Sequence, residues 1–419
     1  MKRMNDYTVE VDGINIYVNS NLELEKTALE ELKTFKAIEG LRHLSFTPDF
    51  HKGSGTPIGT VALLDRVYPK VPGNDIGCGM ALFVLKTKEL PDMKTLKTKL
   101  RETFFEGKRE IFVTDRKKLL MGVDNVLRGR STERLGYDYS NFMGEFKVSD
   151  VLSPYFSITS ERDNILGSIG GGNHFVEIQK IEKIVSKSMW IKYGVNQGDY
   201  CVMVHSGSLD NGHQVGTHFN DLAKKKFEGK HPKNGYFYLN DKDSEDYLTA
   251  SYNAANFAKY NRGIMAAMVA DVLDCDMRFI YDTPHNLVFK HDDGYLHRKG
   301  SCSADEGELV IIPGSMGTSS FVGIGNGFKG TLNSAPHGAG RILNRNKSRN
   351  NIDDLKDIEL VTKIDPTRIR PDVAKEVYKG LAEEAPRSYK DIKEVIATCT
   401  AAGILDEAMW LSPVLTIKG

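Results

Sequence analysis

Hydrophobic and polar positions divide the chain into short elements of two kinds. From Tyr7 to Val18 apolar and polar residues alternate, which predicts two short strands turning at Asp12-Gly13. Between Asn21 and Ala37 the period changes. Leu24, Ala28, Leu29, Leu32 and Phe35 recur at helical spacing with Glu and Lys opposite, so an amphipathic helix is expected there. Met93, Leu96, Leu100 and Phe104 predict a second helix over Met93–Phe105, between strands at Ala81–Lys86 and Glu110–Val113. The segment 115–158 is mixed and charged and shows no chemistry. Tyr200–Val204 reads as a strand ending at His205, and Arg278–Tyr281 as one that stops at Asp282-Thr283-Pro284-His285-Asn286. Val310–Ile312 leads into Pro313-Gly314-Ser315-Met316-Gly317-Thr318. The longest helical pattern, Glu245–Leu273, is alanine-rich around Ala254, Ala255, Ala258, Ala266, Ala267 and Ala270, which suits close packing against a neighbour. Two last helices are expected at Pro371–Glu384 and Lys390–Ala401, the first with proline near its start.

One stretch follows neither period. Pro48–Met80 is rich in Gly and Pro and too apolar for disorder, so it reads as a long functional connection folded over a site. No internal repeat, low-complexity tract or linker divides the chain. The expected fold class is α+β: a single large compact domain, residues 1–419, of mixed β-sheets flanked by helices.

Composition narrows the function classes. Lys+Arg and Asp+Glu balance at 56 each, so no global field gathers a polyanion, and any nucleic-acid contact must come from local patches. Cys78, Cys201, Cys275, Cys302 and Cys399 are odd in number, widely spread and without a CxxC pair, which argues for a reducing compartment and against a disulfide framework. The N-terminus leads into alternating residues rather than an apolar signal core, and no apolar run approaches the ~18 residues of a membrane span. A soluble cytoplasmic protein is expected.

The chemistry concentrates where the irregular stretch ends, at Gly73-Asn74-Asp75-Ile76-Gly77-Cys78-Gly79-Met80. Asp75 and Cys78 offer a carboxylate and a thiol between glycines that permit unusual backbone angles; the alternative is a tight turn with a buried cysteine. His174 follows Gly170-Gly171-Gly172-Asn173, His205 ends a strand, and His285 sits in a Pro-Asn turn. Singly, each suits a hydrogen-bonded turn. Together with Asp75 and Cys78 they supply a carboxylate, a thiolate and three imidazoles, enough for two metal ions sharing a bridging ligand. Ligand softness favours zinc, iron or cobalt over manganese. His43, His218, His231 and His291 read as solvated, with His51 and His213 intermediate.

His337 is of another kind. Its setting, Asn333-Ser334-Ala335-Pro336-His337-Gly338-Ala339-Gly340-Arg341, leaves the imidazole accessible and lets a bulky ligand approach the backbone. Arg341 and Arg345, one and two turns on along an expected helix, suit phosphate oxygens. An imidazole so placed can attack phosphorus; a glycine-rich cap with a solvated histidine is the alternative.

Seven motifs occur in one order: Pro48-Asp49-Phe50-His51, Asp75-Ile76-Gly77-Cys78-Gly79-Met80, Gly171-Gly172-Asn173-His174-Phe175, His205-Ser206-Gly207-Ser208, His285-Asn286, Pro313-Gly314-Ser315-Met316-Gly317-Thr318 and His337-Gly338-Ala339-Gly340-Arg341. In these the sequence resembles the RtcB-type RNA ligases, from about Pro48 to Ile417-Lys418-Gly419. The resemblance implies a GTP- and manganese-dependent enzyme that joins RNA 3′-phosphate or 2′,3′-cyclic phosphate ends to 5′-hydroxyl ends, in tRNA splicing or RNA repair. His337 would attack the α-phosphorus of GTP and form a histidine–GMP intermediate; GMP would pass to the RNA 3′-phosphate and leave when the 5′-hydroxyl attacks. Two Mn2+ ions would be held by Asp75, Cys78, His174, His205 and His285, with Cys78 the natural bridge. Asn173, Glu177, Ser315, Ser320, Tyr389 and Lys418 match the family's nucleotide contacts, with Gly338, Ala339 and Gly340 beside His337. The partners implied are broken RNA, GTP and an archease-like activator, without a membrane, and a monomer is expected.

There is a departure. Where the family reads His-Ser/Thr-Gly-Ser-Arg-Gly, this chain has His205-Ser206-Gly207-Ser208-Leu209-Asp210-Asn211-Gly212, and Ser301–Glu308 also differs. Both point to a diverged branch with its own RNA substrate. Two rival readings use the same residues: a two-metal phosphoesterase acting on RNA ends without guanylylation, and a non-catalytic RNA-binding protein. For RNA contact the candidates are Lys224-Lys225-Lys226 and the cluster Arg341, Arg345, Lys347 and Arg349, the second preferred because it adjoins His337.

Overall fold

The structure is a computed structural model that describes residues 1–107, 167–228 and 231–419. The strand expected at Glu110–Val113 and the charged segment 115–158 lie outside these residues. The alternating N-terminal pattern forms β2 (Thr8–Val11) and β3 (Ile14–Tyr17), an antiparallel pair beside β1 (Lys2–Asn5). Asp12 and Gly13 turn between them with φ of 54° and 83°, the left-handed pair that a two-residue hairpin requires. β4 (Leu41–Ser54) runs parallel to β3, β5 (Thr56–Leu64) folds back on it, and β11 (Gly294–Lys299) and β10 (Asn286–His291) complete a seven-stranded sheet. Helix α1 (Lys26–Phe35) buries Ala28, Leu32 and Phe35 in the cluster formed with Phe46, Phe50 and Leu64. It starts five residues after Asn21, where the expected helix began.

Pro48–Met80 is therefore not a long loop. Its first part is the β4–β5 hairpin, and only 65–78 stays outside regular structure. Pairing slips between Phe46 and His51 and again between His51 and Ser54, and Leu44–His51 is buried continuously. Bulges and two-sided burial together erase the period of two that marks a half-exposed strand.

The second sheet orders β13 (Leu309–Ile312), β14 (Ser320–Gly325), β17 (Leu405–Lys418), β7 (Phe175–Ile184), β8 (Tyr200–Ser206), β6 (Gly79–Leu85) and β9 (Met277–Pro284), with β16 (Leu360–Thr362) parallel to β17. Every residue of β6 is buried. Ala81, Phe83 and Leu85 meet α2 (Met93–Phe105) and the alanines of α5 (Asp241–Val272), whereas Met80, Leu82 and Val84 meet Met203, Ile311, Val322 and Met409. Each large apolar side chain buried this way contributes roughly 1.5–3 kcal/mol, so the sheet's centre is a stiff platform for whatever its strand ends carry. Of the connecting helices, α3 (Lys187–Tyr193) follows β7, α4 (Asp210–Lys226) follows β8, and α6 (Arg345–Ser348), α7 (Pro371–Ala382) and α8 (Ile392–Ala401) precede β17. Mixed sheets flanked by helices make the fold α+β, as expected. Among the described residues no helix is long and apolar enough to cross a membrane.

Candidate active site

Strand order assembles the donor groups. Cys78 directly precedes β6, His174 directly precedes β7, His205 lies near the end of β8, and His285 directly follows β9. Register pairs Met80 with His205, Phe175 with His205 and Gly79 with Pro284, so all four residues fall at the same end of β7-β8-β6-β9. Cys78 Sγ is 3.3 Å from His174 Nε2 and 3.2 Å from His205 Nε2; His205 Nε2 is 3.3 Å from His285 Nε2; His174 Nε2 is 3.3 Å from Asp75 Oδ2.

These contacts resolve into two donor triads, Asp75–Cys78–His174 and Cys78–His205–His285, each with its atoms within 4.8 Å of one another and with Cys78 in both. Donors about 3.3 Å apart match neighbours around one cation with bonds of roughly 2.0–2.3 Å. Burial pushes the His205 and His285 imidazoles well below their ordinary range, which leaves them neutral, the form that ligates. Burial and then the Asp75 carboxylate push the Cys78 thiol up, a penalty that a bound cation offsets. The residues fit a pair of metal ions sharing a thiolate.

The scaffold behind the donors is polar and tied. Arg262 of α5, fully buried, donates to Gly77 O (3.1 Å) and Ser206 O (2.8 Å) and forms a bidentate pair with Asp282 at 2.7 Å. One guanidinium thus fixes the backbone before Cys78, that after His205, and β9. Asn286 donates to Asp75 O and receives Gly300 N–H. His205 Nδ1 lies 3.2 Å from Asn173 O, which aims Nε2 at the cluster. Gly77 has φ of 70°, and a Cβ there would strike Ala255 of α5, so the turn and the helix pack backbone to backbone.

His337 joins this group from a different sheet, directly after β15 (Ser334–Pro336), which pairs with β12 (Ser301–Ser303). Its ring centroid is 4.6 Å from that of His285. Nδ1 is 2.6 Å from Oδ2 of Asp49, a fully buried carboxylate whose Oδ1 accepts from Thr47 Oγ1 at 2.5 Å. Lys390 Nζ donates to Pro48 O and Phe50 O, clamping the strand on both sides of Asp49, and burial lowers its pKa to about 8. Asp49 belongs to a motif noted in the sequence, but its partner lies 288 positions away, beyond any local pattern. His51, an intermediate case in the sequence, is buried in the same cavity wall with Nδ1 2.6 Å from Asp49 O.

No helix runs from His337 through Arg341; the next one, α6, starts only at Arg345. Gly340 has φ of 77° and a Cβ there would come within 2.6 Å of Asp49 O, and Arg341 bridges Tyr389 instead of starting a turn. The Arg341 guanidinium is engaged internally, by Glu384 (3.3 Å), Tyr389 Oη (3.0 Å) and Ser348 Oγ (3.1 Å). Arg345 remains exposed at the cavity mouth.

Asn173, Glu177, Ser315, Ser320, His337, Gly338, Ala339, Gly340, Tyr389 and Lys418 all line one cavity of ≈ 450 Å³, as do Asp75, Cys78, His205 and His285. His174 reaches it through its contacts with Cys78 and Asp75. Glu177 is buried with Thr416 Oγ1 (2.5 Å) and Gln179 Nε2 (2.6 Å) donating to it, and burial raises its pKa to about 7. Lys418 donates to Gly172 O and His174 O, bracing the turn before β7. Lys299 also lines the cavity and went unremarked in the sequence, where nothing distinguishes it from other strand lysines. Burial lowers its pKa to about 8. Leu209, at φ 54° and ψ −129°, caps α4 and packs by its Cδ2 against the Gly170 turn that carries His174.

An oriented imidazole packed beside paired donor triads, all bordering a cavity of this volume, suits metal-assisted chemistry on a bound ligand. Residues 31–419 match the family model described as tRNA-splicing ligase RtcB. The chain belongs to this RtcB family of RNA ligases.

Proposed function

We propose that the protein joins RNA 3′-phosphate or 2′,3′-cyclic phosphate ends to 5′-hydroxyl ends through a guanylylated His337, using GTP and two Mn2+ ions. The observation that carries this reading is the 2.6 Å contact between His337 Nδ1 and Asp49 Oδ2. It holds the ring proton on Nδ1 and leaves Nε2 with its lone pair free, the tautomer a nucleophile needs. Nε2 forms a bond to the α-phosphorus as the bond to pyrophosphate breaks; a 2′,3′-cyclic end is first opened by water to the 3′-phosphate, an oxygen of which then takes the GMP as its bond to Nε2 breaks, and the 5′-hydroxyl attacks the 3′-phosphorus and expels GMP. Asp75, Cys78, His174, His205 and His285 would hold the ions, which when bound neutralise phosphate charge and polarise phosphorus–oxygen bonds. Glu177, Asn173, Ser315, Ser320, Tyr389 and Lys418 seat the nucleotide beside Gly338, Ala339 and Gly340.

Incubation with α-labelled GTP and manganese tests this. A covalent, acid-labile label that His337→Ala abolishes is expected, and no adduct with any of several divalent metals would overturn the reading. Phosphodiester turnover by His337→Ala without GTP would put a phosphoesterase in its place.

A further inference from the structure

A second cavity, of ≈ 560 Å³, lies between α2 and the segment 352–381, and the chemistry above does not use it. From α2 it takes Lys94, Lys97, Thr98 and Arg101, the i, i+3, i+4 and i+7 positions of a single helix face. From the other segment it takes an apolar lining of Ile352, Leu355, Ile358, Leu360, Tyr378 and Leu381. Five cations border it, these three of α2 with Lys356 and Arg368, against one carboxylate, Asp365. That carboxylate serves two of them through one oxygen, with Arg101 Nη1 at 2.9 Å and Arg368 Nε at 3.3 Å. Lys97 and Lys356 pair with Glu359 and Asp353, which stand outside the lining. Lys94, exposed, has no ion pair among the described residues. Surplus positive charge beside aliphatic side chains suits an anion with an apolar body: its charged end meets ammonium and guanidinium groups, and its body covers the isoleucines and leucines from water. A nucleotide fits less well, because ribose hydroxyls would lose their water against aliphatic groups.

The lining also touches the catalytic cavity's own wall. Leu355, Ile358 and Leu381 belong to the apolar cluster that holds Met316, and Met316 lines the catalytic cavity. Gly317 packs so closely that a Cβ there would come within 2.6 Å of Ile358 Cδ1. Beside them β16 pairs Thr362 with Lys418 and Leu360 with Thr416, whose hydroxyl donates to Glu177. Residues at the nucleotide end of the active site thus rest on residues that line the second cavity. We infer that this cavity binds a small organic anion with an apolar body, and that its occupant, by holding Ile358 and β16 in place, strengthens binding of GTP in the neighbouring site. The effect on GTP rests on the RNA ligase reading; the site itself does not.

The probe is octanesulfonate, titrated calorimetrically, with methanesulfonate as the head alone and octanol as the body alone. Octanesulfonate should bind, and hexanesulfonate roughly tenfold more weakly for its two missing methylenes. Methanesulfonate and octanol should each bind at least about tenfold more weakly than octanesulfonate. Thr98 and Lys94 are exposed positions on α2, so substituting them spares the core. Thr98→Trp fills the cavity and should abolish binding, and Lys94→Glu should weaken it several-fold. Unchanged octanesulfonate affinity in both variants would overturn the site. Methanesulfonate binding as tightly would reduce it to a plain anion site, and octanol binding as tightly to an apolar hole, and either result overturns the inference. Saturating octanesulfonate should lower the GTP concentration that half-saturates labelling of His337 by about fivefold or more in the unsubstituted protein and leave it unchanged in Thr98→Trp. A GTP dependence that ignores the sulfonate in both proteins would overturn the coupling. Octanesulfonate binding by a protein that takes no label from GTP under any condition would instead remove the ligase reading and leave the anion site in place.

Discussion

Asp49 and His337, 288 residues apart in sequence, meet at 2.6 Å, and the carboxylate is fully buried behind the ring. Asp49→Asn keeps the shape and removes the charge that fixes the imidazole's tautomer. The expected result is a fall of ~10²- to 10⁴-fold in the rate of GMP transfer to His337, read from label incorporation over time. An unchanged rate would reduce the contact to a structural one.

Cys78 belongs to both donor triads, so its loss damages both together. Cys78→Ala should lower bound metal per chain, measured by elemental analysis after dialysis, and abolish ligation, while near-UV circular dichroism stays that of the parent. Full metal content and full joining in this variant would remove Cys78 from the centre.

The two arginines after His337 should separate. Arg341 is tied to Glu384, Tyr389 and Ser348, and Arg341→Ala would leave the buried Glu384 with Tyr389 Oη but no cation, a cost on the order of 3 kcal/mol. Arg345 stands exposed at the mouth, and Arg345→Ala should weaken RNA joining several-fold with guanylylation nearly unchanged. Parallel single-turnover assays of the two steps decide; equal losses in both would contradict a role in holding RNA.

Glu177 gives a pH signature of stability. Burial raises its pKa from 4.5 to about 7 in the folded protein, so between those values the folded state keeps a proton that the unfolded state has released. Stability must then fall as pH rises from about 4.5 to 7 and level off above, by an amount on the order of 3 kcal/mol. Glu177→Gln does not titrate, and its urea midpoint relative to the parent should therefore improve between pH 5 and pH 8. A relative decline over that interval would mean that Glu177 ionises at an ordinary pH.

How far the residues disclosed this arrangement depends on the range of each signal. Met93–Phe105 is a helix with the bounds its spacing set, because one face is buried and the other wet. β7 and β17 escaped notice because pairing slips along both and both carry long buried runs. Four of the five candidate ligands, Cys78, His174, His205 and His285, were recognisable as a set since each sits where a strand begins or ends, with Asp75 in the turn before β6, and the fold brings them to one end of the sheet. Asp49 as the partner of His337, the Lys390 clamp and the Arg262 tie were not, as each depends on a contact across 185 or more positions. The helix expected after His337 failed on one residue, Gly340, held at positive φ against Asp49.

The dispersion of the donors along the chain also bears on how the centre is made. Asp75 and His285 are 210 positions apart (285 − 75), so at about 5–20 residues per second a ribosome spends roughly 10–40 s between them. Throughout that interval Cys78 exists without His285, the turn braced by Lys418 cannot form, and the Arg262 tie is missing until Arg262 itself is made. A thiol met early by a soft ion has only incomplete company to hold it. The choice of metal thus falls to the finished chain, when the strand ends close together, and chelation cannot nucleate folding as it does in small zinc domains.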